Sequence, residues 1–356
     1  MIRVFDTNFT LHDKHAVASM MDSGFVGPGK RTAAFETAIA EATGHRHAIA
    51  CNSGTTALML SLWSVGVKPG GVVICPAYGF HAAANAARML GANVWLVDVE
   101  STDFNIDVDQ VTAIDPAAVQ AIVVINQNGQ PLGPSDENKL IAFAKRYHVP
   151  IVEDACQSLG IKGAFALGDV CTLSFSVPKL VTTGQGGAVV TNNDGLATEL
   201  RGLIDHGGDW RETRVHSHVG GNFRMPDLLA GLGLSQFERL DEIVQRRDDL
   251  HQLYRKHLEA VCSSVSIRCG WCVTYLHHNA KGLINALKAA DVEATQPYRV
   301  TSHHRPFITA ERFPQAECAA AQLVYLPSHV ELTDDDVRKV CDAIHEFDGT
   351  TDHYKA

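Results

Sequence analysis

The strongest constraint on the fold of this 356-residue chain is a repeating alternation over its first two-thirds. Short runs rich in Val, Ile and Ala are separated by segments with helical spacing. His47–Cys51, Val72–Pro76, Val94–Val97, Ala121–Ile125, Ile151–Asp154, Val170–Phe175 and Ala188–Thr191 read as strands. Several are almost continuously apolar, as strands covered on both faces are. Between them, Thr32–Thr43, Thr55–Val65, Phe80–Leu90, Glu137–Tyr147 and Leu196–Ile204 read as helices. Strand–helix alternation of this kind predicts an α/β fold built on a mostly parallel sheet.

The pattern changes near residue 226. Pro226–Leu258 reads as a long helix, in one piece or two, with Leu228, Leu232, Ile243 and Leu250 on its apolar stripe. Pro226 suits a first helical turn, and Asp227 favours that turn electrostatically. A strand-like Val273–Leu276, a helix Lys281–Ala290 and a last helix Thr333–Phe347 follow, the last opened by a capping box of Thr333 and Asp336. The expected organisation is a large domain over 1–240 and a smaller α/β domain over 241–356, with the long helix joining them.

Charge and cysteine usage narrow the function. Thirty Lys+Arg against forty Asp+Glu leave a formal charge of −10, so the chain has no electrostatic footprint for nucleic acid. The first ten residues lack a secretory signal pattern, and no apolar run is long enough to span a membrane. Nine scattered cysteines, an odd number, argue for a reducing cytoplasm rather than a disulfide framework. No Gly-x-Gly-x-x-Gly follows an early strand, which speaks against a nicotinamide dehydrogenase.

Four segments carry potential chemistry. Lys179 follows a strand end and precedes the glycine-rich Gly184-Gln185-Gly186-Gly187. It is either a surface lysine or an amine desolvated for Schiff-base chemistry. Glu153-Asp154 closes a buried-looking strand, where open α/β sheets place ligand groups. Glu153 is expected as a solvated strand end, whereas Asp154 would keep a pyridine nitrogen protonated if such a cofactor is bound. Ser53-Gly54-Thr55 opens a helix, as a plain N-cap or as a phosphate cradle. Phe80, after the next strand, stacks on a flat ring or belongs to the core.

Taken together, the order and spacing of these segments resemble the sugar aminotransferases of the DegT/DnrJ/StrS family. The resemblance spans almost the whole chain: Phe25-Val26-Gly27-Pro28-Gly29, Ser53-Gly54-Thr55, Asn128-Gly129-Gln130-Pro131, Glu153-Asp154-Ala155-Cys156-Gln157, Ser174-Phe175 through Lys179, and Gly221-Asn222-Phe223-Arg224. It implies the fold type I architecture of pyridoxal-phosphate transferases, with a mixed, mostly parallel sheet flanked by helices and a smaller C-terminal α/β domain. Carried over residue by residue, it makes Lys179 the Schiff-base lysine and proton shuttle, and Asp154 the partner of the pyridinium nitrogen. Gln157 faces the cofactor ring and bonds its phenolic oxygen, and Phe80 stacks on the other face. Gly54, Thr55 and Ser174 hold the phosphate, and Asn222 reaches the phosphate of a neighbouring subunit, which implies a homodimer. The implied reaction moves an amino group from an amino acid, typically L-glutamate, to a keto sugar in ping-pong order. Related readings are a dehydratase of the same family, whose members carry His in place of the lysine, and a non-catalytic sensor on the same fold.

The chain departs from the family pattern at several points, which leave a smaller or free keto sugar, or a keto cyclitol, open as acceptor beside the usual nucleotide-linked keto sugar. Gln185 stands where Glu is usual, Asn126-Gln127-Asn128-Gly129 replaces an aromatic-containing segment, and Phe223 stands where Tyr is usual. Cys269-Gly270-Trp271-Cys272 is a Cys-x-x-Cys pair without the context of a thioredoxin motif or a second pair for zinc, so its cysteines read as structural or incidental. The adjacent His277-His278 and His303-His304 point to opposite faces of an extended chain and cannot chelate as pairs, though His303 or His304 can line a substrate entrance.

Overall fold

Seven strands form one sheet in the computed structural model, which describes residues 1–7, 9–208, 215–258 and 267–352. They are β1 (His47–Cys51), β2 (Val72–Pro76), β3 (Asn93–Val97), β4 (Val119–Ile125), β5 (Ile151–Asp154), β6 (Val170–Ser174) and β7 (Gly187–Thr191). Their spatial order is β1-β7-β6-β5-β4-β2-β3. Every pair from β6 to β3 is parallel, and only β7 runs against its neighbours. All seven strands predicted from the sequence are present, within one or two residues at their ends.

The strands are apolar on both faces because both faces are covered. In β4, Ala121, Val123 and Ile125 join one core cluster, while Ile122 and Val124 join another. The first cluster is roofed by α3 (Gly54–Ser64), α4 (Ala82–Met89) and α7 (Asp194–Ile204). The second is closed by α5 (Val108–Ala113) and α6 (Pro134–Tyr147). At the β1 edge, Phe35 and Ile39 of α2 (Lys30–Thr43) complete a third cluster. Helix α1 (Leu11–Asp22) and short α5 have no counterpart in the sequence reading; α1 buries only Asp13 and Met20, too few apolar positions to leave a period.

The long helical stretch is two helices, α8 (Asp227–Phe237) and α9 (Leu240–Leu258). Leu250 and Tyr254 of α9 pack with α10 (Ala280–Ala289), α12 (Asp334–Asp352) and a small antiparallel sheet of β8 (Ile267–Cys269), β9 (Val273–Leu276) and β10 (Leu323–Tyr325). Helix α11 (Pro314–Gln322), which the sequence reading did not anticipate, precedes β10. The Thr333–Asp336 capping box forms in both directions, the Asp336 N–H donating to Thr333 Oγ1 at 3.1 Å and the Thr333 N–H donating to Asp336 Oδ2 at 2.9 Å. The chain start crosses to this second sheet, where Ile2 bridges Val292 and packs against its core.

Pro226 is the N-cap of α8 rather than its first helical residue, and Asp227 does not serve that helix alone. Its carboxylate turns to the start of α2, where the N-cap Gly29 has no side chain to offer. Oδ1 accepts from the N–H groups of Gly29 and Thr32, both at 2.8 Å, and from the Thr32 hydroxyl at 2.7 Å, while Oδ2 accepts from the Arg31 N–H at 3.2 Å. Burial opposes the charge, but these bonds outweigh it and hold the carboxyl below the usual range. A lowered folded value stabilises the protein above the unfolded pKa of about 3.9 and is lost as pH falls through the folded value. Asp227→Asn is therefore expected to cost about 2 kcal/mol at pH 7, with the gap to wild type closing below about pH 4 in urea unfolding.

Candidate active site

Strands β1, β2, β4, β5 and β6 all end at one edge of the sheet, and the segments that follow them surround a cavity of about 440 Å³. That is within the ~300–1,000 Å³ usual for small-molecule sites. Gly54, Thr55, Phe80, Asp154, Gln157, Ser174 and Lys179 all line it. Residues more than a hundred positions apart in the chain thus meet at the carboxyl ends of the strands, as open α/β sheets require.

Asp154 and Glu153 are neighbours on β5 and face opposite ways. Asp154 faces the cavity, 6% exposed, and its Oδ1 accepts from the Cys156 N–H at 3.1 Å. Burial pushes its pKa up, against the pull of Cys156 and of the Lys179 amine. Glu153 is not the solvated strand end expected from the sequence. It is 1% exposed and accepts from Asn126 Nδ2 at 2.7 Å and from the N–H groups of Phe165, Leu167 and Gly168 at 2.8, 3.0 and 3.2 Å. It fixes the loop after β4 and the approach to β6, a structural role.

Lys179 lies in the turn after β6, its N–H donating to Ser176 O at 2.9 Å. The turn is held from behind by Gln236 of α8, which accepts from the Thr182 N–H at 3.0 Å and donates to Thr182 O at 2.6 Å. The amine is enclosed, and burial lowers its pKa; Cys156, Asp154 and Cys272 act in the opposite direction. A lysine with this balance loses its proton more readily than one in water, the condition for a nucleophilic amine.

At the start of α3, the Ser53 hydroxyl accepts from the Thr56 N–H at 3.1 Å, which makes Ser53 an ordinary N-cap. The N–H groups of Gly54 and Thr55, in the first turn, have no acceptor within the helix. A Cβ at Gly54 would sit 2.8 Å from Ser174 Cβ and 3.0 Å from its hydroxyl, so this position must be bare for the helix start and the β6 end to approach. Phe80 is 48% exposed and belongs to the cavity wall rather than the core, 6.1 Å from the Tyr298 ring. Gln157 Nε2 donates to Tyr298 Oη at 2.8 Å, leaving Gln157 Oε1 buried without a hydrogen-bond partner.

Asn222 is not among the lining residues. It forms a bridge with Asp205 and accepts from Arg224 Nε at 3.1 Å. His303 and His304 do not line the cavity either; the His304 ring lies 5.0 Å from that of His81, beside Phe80. In the Cys-x-x-Cys segment, Cys272 is buried, while the Cys269 side chain lies outside the described residues. That segment forms the turn of the β8–β9 hairpin, not a helix start.

The wall opposite the strand ends was not foreseen. It consists of Phe5 from the chain start, Trp271 from the β8–β9 turn, Tyr298 from the loop after α10 and Tyr325 from β10. Phe5 stacks on Trp271 at 5.2 Å, and Trp271 and Tyr298 each meet Tyr325 edge-on, at 5.7 and 6.1 Å. No periodicity or spacing joins four aromatics so far apart in the chain.

A half-buried lysine and a buried carboxylate thus share a cleft with a helix start and an aromatic wall. The chain belongs to the DegT/DnrJ/EryC1/StrS aminotransferase family, whose sequence profile matches residues 9–345. It is 30% identical to the GDP-perosamine synthase of Caulobacter vibrioides, over 94% of this chain and 95% of that protein. It is also 30% identical to the UDP-2-acetamido-2-deoxy-3-oxo-D-glucuronate aminotransferase of Pseudomonas aeruginosa, over 89% and 90% of the two chains. Among solved structures, the aminotransferase TlmJ of Streptoalloteichus hindustanus superposes with a TM-score of 0.90 at 26% identity, covering 99% of this chain and 100% of that one. A DegT DnrJ EryC1 StrS aminotransferase from Brucella abortus matches with a TM-score of 0.86 at 26% identity, over 94% and 95%. The protein is an aminotransferase of this family, and no helix among its described residues is long and apolar enough to cross a membrane.

Proposed function

We propose that this aminotransferase uses pyridoxal 5′-phosphate to transfer the amino group of an amino acid, L-glutamate in the first instance, to a keto sugar carried on a nucleotide. The observation that carries this reading is the enclosed Lys179 amine in the same cavity as Asp154 and the bare Gly54–Ser174 cradle. The names of the curated relatives, which act on GDP- and UDP-linked sugars, support the acceptor class.

The residues present suit the cofactor. The Gly54 and Thr55 N–H groups and the Ser174 hydroxyl offer donors to a phosphate at a helix N-terminus. Asp154, a buried carboxylate with a raised pKa, is suited to a cationic ring nitrogen. Gln157 Nε2 donates one hydrogen to Tyr298 and keeps a second that it could donate to the ring's phenolic oxygen. When bound, pyridoxal phosphate supplies an aldehyde carbon for the lysine and a ring that takes up the electron pair released at the donor Cα.

The rest of the work belongs to the chain. Lys179 Nζ, desolvated, would hold the cofactor's aldehyde carbon until the donor's amine displaces it, and the amine so freed would take the proton from the donor Cα and hand it on. Asp154 keeps the ring nitrogen protonated. Phe80 and the aromatic wall exclude water from the reacting atoms. Donor and acceptor would use the one cavity in turn, the amino group being kept on the cofactor between them, which gives two half-reactions in ping-pong order.

The same reading places two copies of the chain together, Asn222 of each reaching the phosphate in the other, and assigns 1–240 to cofactor binding and 241–356 to the smaller domain. It places the protein in the cytoplasm. The test is the absorbance spectrum of protein incubated with pyridoxal phosphate, before and after L-glutamate. A visible band that gives way to a near-ultraviolet one, and returns when a nucleotide-linked keto sugar is added, is expected. A protein that stays colourless overturns the cofactor assignment; a glutamate response that no keto sugar reverses overturns the acceptor.

A further inference from the structure

Trp271 grips the lysine at both ends. Its Nε1–H donates to Pro178 O, the carbonyl immediately before Lys179, at 3.1 Å. Its ring lies under the tip of the same side chain, with Lys179 Nζ 4.2 Å from the ring centroid. The indole itself is immobilised. Phe5 stacks on it at 5.2 Å and 15°, and its backbone N–H donates to Asn128 O at 2.9 Å. The loops carrying Asn128 and Trp271 touch backbone to backbone. A Cβ at Gly129 would come within 2.7 Å of Trp271 N, and one at Gly270 within 2.0 Å of Asn128 O. A side chain held by a hydrogen bond, a stack and a glycine-to-glycine contact is in place before any ligand arrives.

We infer that Trp271 is a positioning residue for Lys179: its π face docks the free amine of the lysine, in register with the cavity, whenever that amine is not covalently engaged. This deepens the proposed function and rests on Lys179 being the reacting amine. The face of an indole attracts an ammonium more than a neutral amine. Trp271 thereby stabilises the protonated lysine, the form that returns a proton, against a burial that favours the neutral form. The other groups facing the amine are Asp154, whose negative charge shares the sign of the indole's effect, and the thiols of Cys156 and Cys272. Asp6 and His329 line a small cleft of about 40 Å³ behind Lys179 and Trp271.

The test uses the purified whole chain without pyridoxal phosphate. Lys179 is acetylated with trace acetic anhydride across pH 7–11, and its modification is read by mass spectrometry, giving the pH midpoint of this one amine. Trp271→Leu and Trp271→Phe both leave a gap, so water entry affects both, but only Phe keeps a π face. The expected midpoint for Trp271→Leu is lower than that for Trp271→Phe by about one pH unit, with the Phe variant near wild type. Phe5→Leu loosens the stack and is expected to lower the midpoint by about half as much. It decides the matter if Trp271→Leu does not fold. Equal midpoints in the Leu and Phe variants, or an unmoved midpoint in Phe5→Leu, overturn the inference. The two proposals fail separately. A Trp271-dependent midpoint in a protein that never colours with pyridoxal phosphate keeps the docking face and removes the cofactor.

Discussion

Lys179→Ala is expected to lower turnover by ~10⁴-fold or more, with little change in fold or Tm. The amine is the one nitrogen nucleophile in a cavity whose other titratable lining groups are a carboxylate, a thiol and two phenols. It is asked to act both as nucleophile and as acid–base, and no neighbour supplies either role. Burial raises the pKa of the Cys156 thiol well above its ordinary value and raises those of the Tyr298 and Tyr325 phenols, so all three stay protonated at neutral pH. The fold survives because the turn is held through the backbone by Gln236 and Ser176, independently of the Lys179 side chain. Lys179→Arg keeps the charge and is expected to be equally inactive, since a guanidinium is not deprotonated in proteins. Steady-state turnover with L-glutamate and a keto-sugar acceptor, beside a thermal melt, checks both variants. Turnover near wild type in either one removes Lys179 from the mechanism.

Glu153→Ala is expected to act on the opposite quantity. It removes the acceptor of three backbone N–H groups and of the Asn126 carboxamide, all around a residue 1% exposed. Buried donors left without partners each cost about 1–3 kcal/mol, so a loss of about 4 kcal/mol is expected in denaturant unfolding. Glu153→Gln preserves the shape and one acceptor oxygen, and is expected to lose about half as much. Since Asn126 begins the loop that touches Trp271 and Asp154 is the next residue, cofactor uptake should weaken along with stability. A Glu153→Ala protein as stable as wild type would mean that water replaces the carboxylate.

The seven-stranded sheet was legible because its strands are short, apolar on both faces and separated by helical spacing. Val123 and Val124 already say that one strand faces two cores. Asp154, Lys179 and Ser53-Gly54-Thr55 were legible as well, since a strand end or a helix start is a local feature and the parallel sheet brings such ends to one edge. The burial of Glu153 is not legible, because its partners, Asn126 and the 165–168 backbone, are near in space and unreadable in a five-residue window. Asp227 was judged by the helix it begins, whereas its carboxylate serves a helix almost 200 positions earlier.

The sequence by itself determined the α/β class and the family, and it singled out Lys179 and Asp154, which meet in one cavity, because periodicity and motif order are properties of neighbouring residues. Tertiary structure alone decided which face each carboxylate took, that Phe80 belongs to a wall and not to the core, and that Phe5, Trp271, Tyr298 and Tyr325 close the cavity. The first depends on which loops pack on either face of the large sheet, the others on packing between the two sheets. A contact such as Trp271 over Lys179 exists only once a hairpin from the second sheet has docked on a turn of the first, and no interval along the chain encodes that distance.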